Sequence, residues 1–180
     1  YSKLISNFSN IPNIVNNYRD MIGNIDALLL ARDDYENHFE LSEPFIKAGI
    51  PVYIDKPIAV RKNELNTLLS SQLYSGQIFS HSALRFAKEF NFDQNYLNKF
   101  GNIKEIIAIS PKDWPRYSIH IIEPVVNSFK LNENFQILDT NKFDEGRTEL
   151  KVKWDNNLIA QFITTGKSTD QLSIEIRGTD

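Results

Sequence analysis

The sequence predicts an α/β protein in which a parallel sheet is followed by an α+β domain with an open, mostly antiparallel sheet. One observation is a pair of short apolar runs separated by a helical stretch within about thirty residues, the spacing of a β-α-β unit with parallel strands. The other is a series of strand-like runs after residue 134, whose polar turns and alternating side chains suit an antiparallel sheet with one buried face. Because the pattern changes near Pro57, we expect one domain over residues 1–57 and a second over residues 58–180.

The first domain is expected to contain one β-α-β unit after a polar N-terminal segment. Residues 1–24 are rich in Asn with a fringe of apolar side chains, which suggests a strand or loop followed by a short helix. The apolar run 25–31 has the pattern of a strand buried on both faces, and residues 51–54 have that of a second short buried strand. Residues 37–48 between them suit a helix, with Gly49 as the left-handed residue that ends it.

The second domain is expected to mix helices and strands before it ends in a sheet. Helices are predicted over residues 65–73, 86–97 and 117–129, and strands over residues 77–82, 103–110, 135–139, 148–154, 158–165 and 172–177. Residues 153–158 have the composition of a hairpin turn between two of these strands. The alternation that suits a half-buried antiparallel sheet involves Leu150, Val152, Trp154, Ile159, Gln161 and Ile163.

The composition disfavours several classes of protein. Hydrophobic residues make up 41% and aromatic residues 12% of the 180 residues, which is enough for a core and argues against disorder. The net charge is −3 and the cationic residues are scattered, which argues against nucleic acid or an anionic membrane as the main partner. The absence of Cys excludes disulfides and thiol chemistry. With no signal peptide or membrane-length apolar run in the sequence, we expect a cytoplasmic protein.

Segments spread along the chain, taken in order, resemble one known family of enzymes. They are an apolar strand, a loop histidine, a helix ending in Ala-Gly and a strand ending in an acidic residue followed by Lys-Pro, found here as Ile25–Ala31, His38, Ala48–Gly49 and Asp55-Lys56-Pro57. Further similar segments are Ser82–Phe86, Gly101–Ile103, His120–Glu123 and Ile174–Thr179. This ordered set resembles the glucose–fructose oxidoreductase/inositol dehydrogenase (Gfo/Idh/MocA) family of nicotinamide-dependent oxidoreductases. The resemblance implies the C-terminal part of a Rossmann-type parallel sheet, followed by an α+β domain with an open, mostly antiparallel sheet.

Two departures from the family pattern bear on function. The family's Gly-x-Gly-x-x-Gly turn, which brings a dinucleotide pyrophosphate onto backbone N–H groups, is not found among the glycines of the chain. We therefore expect the 180 residues to be a fragment that lacks an N-terminal region and is inactive alone. The family also places Asp four residues before its histidine, where this chain has Arg116. Because positions i and i+4 share a helix face, Arg116 and His120 are expected to point toward the same place.

The resemblance implies a catalytic pair, Lys56 and His120, in which the lysine contacts the substrate oxygen and the histidine acts as general base. The implied cofactor-binding residues are Asp55, Lys56, Pro57, His38 and Arg85. The implied substrate-binding residues are Arg116, Tyr117 and Trp114. No metal site is expected, because His120 and Glu123 alone would be an incomplete ligand set.

Several of these residues also have a purely structural interpretation. Lys56 could be a surface lysine before a proline bend, and His120 could be a helix residue hydrogen-bonded to Glu123. His38 could cap its own helix. Trp114 and Tyr117 could equally well be residues of the domain core.

The resemblance thus implies hydride transfer between NAD or NADP and a hydroxyl or ketone carbon of a sugar or sugar derivative. Arg116 offers only hydrogen-bond donors, so an acidic, phosphorylated or nucleotide-linked sugar is expected, unless Arg116 turns outward and pairs with Asp113. A homo-oligomer built through the second-domain sheet is also implied. The alternative is a non-catalytic relative that acts as a sugar-binding or assembly module. A Gly-x-Gly-x-x-Gly turn encoded upstream of Tyr1 would favour the enzyme.

Overall fold

The computed structural model describes residues 2–168 and 171–179, and the chain forms two compact units. Unit 1 consists of Tyr1–Ile54 and Ile58–Phe79, and unit 2 consists of Asp55–Pro57 and Ser80–Asp180. The predicted boundary at residue 57 differs from this division, because residues 58–79 pack with unit 1. Within the described ranges, none of the helices has the length and apolar content needed to span a membrane.

Unit 1 is built on a short parallel sheet. Its strands, in spatial order, are β1 (Leu28–Leu30), β2 (Val52–Ile54) and β3 (Ile78–Phe79), and its helices are α1 (Ser2–Phe8), α2 (His38–Lys47) and α3 (Lys62–Ser70). Both strand pairs are parallel, which confirms the predicted β-α-β unit. The same pairing explains the domain boundary, because α3 and β3 repeat the β-α-β pattern and extend the sheet past residue 57.

Three details of unit 1 differ from the sequence expectations. The N-terminal segment begins with α1 instead of a strand or loop, and a 3-10 turn over Tyr18–Met21 follows it. Helix α3 starts and ends earlier than the predicted range 65–73. Strand β1 is buried on one face only, since Leu28 and Leu30 are 8% exposed whereas Leu29 is 75% exposed. The reason is that α2 packs against the face that carries Leu28 and Leu30.

The core of unit 1 lies between the sheet and helices α2 and α3. Phe45 and Ile46 of α2 are fully buried, together with Ile54 of β2 and Leu68 of α3. Gly49 follows α2 with φ +82°, a conformation that costs an L-residue with a side chain about 1–2 kcal/mol. The predicted left-handed end of this helix is therefore confirmed.

Unit 2 contains a five-stranded mixed sheet. Its strands are β4 (Glu105–Ser110), β5 (Phe135–Lys142), β6 (Arg147–Trp154), β7 (Ile159–Thr165) and β8 (Ser173–Arg177), and its helices are α4 (Gln94–Leu97), α5 (Trp114–Tyr117) and α6 (Ile119–Ser128). The spatial order is β5-β6-β7-β4-β8. Strands β4 and β7 are parallel, and the other three neighbouring pairs are antiparallel. The predicted mostly antiparallel sheet is therefore confirmed.

The predicted helix over residues 86–97 is wrong. Two short 3-10 turns cover Ala83–Phe86 and Lys88–Phe90, and the backbone between them is extended (φ −66°, ψ 132°). Helix α4 starts only after Asp93, whose carboxylate accepts a hydrogen bond from the backbone N–H of Tyr96 at 2.7 Å. This cap begins a new helix at α4, so the stretch is a set of turns followed by a short helix.

One helix, α6, closes the core of unit 2 against the sheet. Ile121 and Val125 of α6 are fully buried and pack in one cluster with Ile106 and Ala108 of β4. The helix predicted over residues 117–129 thus exists, although it is preceded by α5. Burial of the apolar face fixes the rotation of α6 about its own axis.

The side chains of β7 that face α6 are one residue away from those that the alternation predicted. Ala160 and Phe162 pair with Val152 and Leu150 of β6, and both join the core. Alternate side chains point to the opposite face of the sheet, and these are Ile159, Gln161 and Ile163. The alternation therefore identifies the buried face of β6 but not that of β7.

Candidate active site

The tripeptide Asp55-Lys56-Pro57 follows β2 directly in the chain and belongs with unit 2. All three residues are partly buried, and the Lys56–Pro57 peptide bond is cis. The ammonium nitrogen of Lys56 lies 5.7 Å from the centroid of the Tyr117 ring, which is within the range of a cation–π contact. Lys56 therefore contacts a residue that the sequence analysis assigned to the substrate pocket.

Tyr117, the last residue of α5, contacts both the lysine and the histidine of the predicted catalytic pair. Its ring lies edge-on to the His120 ring, with centroids 5.3 Å apart and an interplanar angle of 72°. Its hydroxyl accepts a hydrogen bond from Lys112, whose ammonium nitrogen is 4.5 Å from the ring centroid. The structure thus brings Lys56, Lys112 and His120 together around one aromatic ring.

The imidazole of His120 is oriented by a serine hydroxyl. Ser82 Oγ lies 2.6 Å from His120 Nδ1, and it also accepts a hydrogen bond from the backbone N–H of Leu84 at 3.1 Å. Ser82 is fully buried, so this hydroxyl is shielded from water. Because Nδ1 is engaged, Nε2 is the nitrogen through which His120 can exchange a proton with a ligand.

Glu123 lies almost one helical turn after His120 and holds the same serine. Its carboxylate accepts a hydrogen bond from the backbone N–H of Ser82 and forms an ion pair with Arg85 at 3.6 Å. The structural interpretation of His120 as a residue bonded to Glu123 is therefore wrong, since the ring nitrogen Nδ1 meets Ser82. Glu123 instead ties the backbone of Ser82 to helix α6.

Partial burial lowers the pKa of His120 below its ordinary value of 6.5. The positive charge of Lys56 also lowers this pKa, while the negative charge of Asp55 raises it. The net direction is downward, so the imidazole is mostly neutral at pH 7. A neutral imidazole can accept a proton, which is the property that a general base requires.

The other predicted site residues lie in different surroundings. Arg116 pairs with Asp113 at 3.6 Å, as its structural interpretation expected. Trp114 packs against the hydrophobic core of unit 2. His38 is fully buried in unit 1, and its Nε2 lies 2.8 Å from the carbonyl oxygen of Arg32, so its ring holds the loop that precedes α2. Among residues 2–168 and 171–179, no group of three or more His, Asp or Glu side chains could hold a metal ion.

The sequence assigns no catalytic or binding role to three residues of this cluster, Ser82, Glu123 and Lys112. Ser82 and His120 are 38 positions apart, and no local spacing indicates that such residues meet. The available signal was weak: Ser82 caps the 3-10 turn over Ala83–Phe86, where its side chain accepts from the N–H of Leu84. That pattern predicts a turn and says nothing about a histidine.

No family model matches the sequence, and no curated protein matches it. Solved structures do match. One is the myo-inositol 2-dehydrogenase of Lactobacillus plantarum, with a TM-score of 0.73 and 15% identity over 99% of this chain and 63% of that chain. A second is an NAD-binding protein from Listeria innocua, with a TM-score of 0.81 and 14% identity over 99% of this chain and 60% of that chain.

A third similar structure is a levoglucosan dehydrogenase in complex with NADH and levoglucosan, with a TM-score of 0.75 and 13% identity over 99% of this chain and 59% of that chain. The chain has the fold of the Gfo/Idh/MocA oxidoreductases. The resemblance drawn from the sequence segments is thereby confirmed for the fold. The chain spans 59–63% of the length of these three proteins.

We expect removal of the Lys56 charge to raise the pKa of His120. In Lys56→Ala the repulsion between ammonium and imidazolium is lost while burial still acts, so the pKa should move toward 6.5. Asp55→Asn should lower it further, because the carboxylate that favours the imidazolium is removed. The measurement is an NMR titration of the His120 ring protons.

The control for this titration is Lys151→Ala. Leu150 and Val152 face the core, so Lys151 lies on the sheet face opposite α6. Its removal should leave the pKa of His120 unchanged. An unchanged pKa in Lys56→Ala as well would show that the lysine charge does not reach the histidine.

Proposed function

We propose that this protein transfers a hydride between NAD(P) and a hydroxyl or ketone carbon of a sugar or sugar derivative, with Lys56 and His120 as its acid–base residues. The observation that carries the proposal is the contact of both residues with Tyr117 within unit 2. A cation and a neutral imidazole at one aromatic ring suit a reaction in which a hydroxyl loses a proton. The dehydrogenases that share the fold support the same reaction class.

Oxidation of a secondary alcohol breaks a C–H bond and an O–H bond and leaves a C=O double bond. The nicotinamide, when bound, supplies the acceptor for the hydride. Neutral His120 takes the hydroxyl proton on Nε2, and the ammonium of Lys56 donates a hydrogen bond to the same oxygen as negative charge develops on it. In the reverse direction the His120 imidazolium returns the proton to the carbonyl oxygen.

The residues around Lys56 fit the nicotinamide end of a dinucleotide. Asp55, Lys56 and Pro57 come immediately after a strand of a parallel sheet, the position at which open α/β sheets bind ligands. A carboxylate and an ammonium together supply an acceptor and donors for the carboxamide and ribose groups. The remaining cofactor residue of unit 2 in this proposal is Arg85, whose side chain is 43% exposed. His38 is fully buried in unit 1 and its ring holds the backbone of Arg32, so it makes no direct cofactor contact in this proposal.

Lys56→Ala should reduce turnover by roughly 10²-fold or more, the usual contribution of a positioned proton-transfer group. The KM for the cofactor should change much less. The protein made from its complete reading frame would be assayed by NAD(P)H absorbance on a panel of neutral and acidic sugars. Lys62→Ala, at an exposed lysine that begins α3, is the matched control and should retain full turnover. Normal turnover in Lys56→Ala would remove this lysine from the mechanism.

The charges around Tyr117 favour an anionic substrate. Lys56 and Lys112 both lie over its ring, and the preceding residue is Arg116. The guanidinium of Arg116 pairs with Asp113, which offsets part of its charge, so Lys112 becomes the stronger candidate for an anion contact. We propose that the substrate carries a carboxylate or phosphate, as in a uronic acid, a phosphorylated sugar or a nucleotide-linked sugar.

Wild-type kcat/KM should be higher for an acidic or phosphorylated sugar than for its neutral counterpart. Lys112→Ala should reduce this preference by about tenfold, the scale of one hydrogen bond to a charged group, with little effect on the neutral sugar. Arg116→Ala should reduce it less, because the guanidinium is paired with Asp113. The measurement is steady-state kinetics on matched substrate pairs. Equal kcat/KM values for the two members of each pair in the wild type would contradict an anionic substrate.

The sheet face opposite α6 is the surface through which we propose that copies of this protein assemble. Ile107 and Ile109 of β4, both partly exposed, pair with Gln161 and Ile163 of β7 on this face, and Ile163 is 7% exposed. Light scattering should give a mass that is a multiple of the monomer mass at micromolar concentration. Ile107→Glu should dissociate the assembly while the circular dichroism spectrum is retained. A monomeric mass for the wild type would refute this assembly.

A further inference from the structure

Ser82 is the most constrained polar residue next to the proposed acid–base pair. It is fully buried, and its hydroxyl lies 2.6 Å from His120 Nδ1 and 3.1 Å from the backbone nitrogen of Leu84. Its own backbone N–H donates to the carboxylate of Glu123. Its main chain is therefore hydrogen-bonded to Glu123, and its side chain contacts His120 and Leu84.

We infer that Ser82 is a positioning residue whose hydroxyl accepts a hydrogen bond from Nδ1–H of His120 and thereby leaves the Nε2 lone pair directed at the reacting hydroxyl. This inference rests on the proposed function of His120 as the base. Ser82 itself touches neither the reacting atoms nor the cofactor in this scheme. Its contribution is the choice of tautomer and of ring orientation.

The direction of the hydrogen bond follows from the proposed role of His120, because a neutral ring that takes a proton on Nε2 carries its own proton on Nδ1. Oγ has two lone pairs, so it can accept Nδ1–H of His120 at 2.6 Å while it accepts the N–H of Leu84 at 3.1 Å. The arrangement also survives proton uptake, because the imidazolium keeps its proton on Nδ1. The serine therefore needs no rearrangement when Nε2 gains or loses a proton, which is the advantage of a preorganised site.

A neutral hydroxyl suits a base that must stay unprotonated. A carboxylate at this position would stabilise the imidazolium and raise the pKa of His120. With Ser82 as the partner, burial and the charge of Lys56 determine the direction of the pKa shift, and the pKa of His120 is lowered. Ser82 thus orients the imidazole ring without stabilising its charged form.

Glu123 explains why the serine stays at the correct distance. It lies on the same helix as His120, so its hydrogen bond to the backbone N–H of Ser82 ties the serine to the element that carries the imidazole. Arg85, in the turn that Ser82 begins, pairs with this carboxylate. The serine and the histidine are therefore connected twice, directly and through Glu123.

Nitrogen NMR of the His120 ring tests this inference without any substrate. In ¹⁵N-labelled wild type, the neutral ring should carry its proton on Nδ1. Ser82→Ala should move the proton toward Nε2, and Ser82→Thr, which keeps the hydroxyl, should restore the wild-type tautomer. Ser128→Ala removes another buried serine hydroxyl, which donates to the Phe90 carbonyl at 2.6 Å, and should leave the His120 signals unchanged.

Kinetics on the protein made from its complete reading frame supply the second measurement. Ser82→Ala should lower kcat by about 10- to 100-fold, the scale of a hydrogen bond to a group that becomes charged, with an unchanged KM for the cofactor. Ser82→Thr should recover most of the loss. If the wild type shows no dehydrogenase activity, the proposed function fails while the nitrogen signals still decide the tautomer. A wild-type ring protonated on Nε2, which can be read even if Ser82→Ala does not fold, would overturn the inference.

Discussion

The rotation of α6 about its axis is the constraint on which the rest of unit 2 depends. Ile121 and Val125 are fully buried against the sheet, and burying one such side chain stabilises the fold by roughly 1.5–3 kcal/mol. A single hydrogen bond contributes about 1 kcal/mol, so packing decides how the helix lies and polar contacts refine it. With the apolar face fixed, the 3.6-residue period places His120 and Glu123 together on the adjacent face.

The parts of the fold that could be predicted from sequence are those that local patterns specify. Two apolar runs and a left-handed Gly49 are enough to define a β-α-β unit. The stretch 86–97 was mistaken for a helix because side-chain capping by Asp93 competes with the continuous backbone pattern. The buried face of β7 could not be predicted from the sequence either, because Ile163 is at least as apolar as Ala160. Only the pairing with β6 decides which of them meets the helix.

The residues of the candidate site also fall into those that local sequence patterns could predict and those that they could not. Lys56 and His120 belong to short segments that resemble known sequences, and Arg116 and Asp113 are three positions apart at the start of α5. Ser82 also begins a segment that resembles the family, but it is 38 positions from His120, so its place beside Nδ1 exists only once the unit has folded. Identities of 13–15% to the similar structures fit this view, because many sequences satisfy one burial pattern.

The discontinuous make-up of unit 2 limits how related genes could be recombined. A crossover at the junction of residues 79 and 80 exchanges what looks like a whole domain, yet it takes Lys56 from one parent and His120 from the other. A crossover between residues 54 and 55 keeps the two together but divides the parallel sheet, since β3 lies beyond it. Chimeras made at either point inherit a mismatched pair of proposed acid–base residues or a mismatched core. A chimera can take Lys56, His120 and the cores around them from one parent only when the crossover falls at neither of these two junctions.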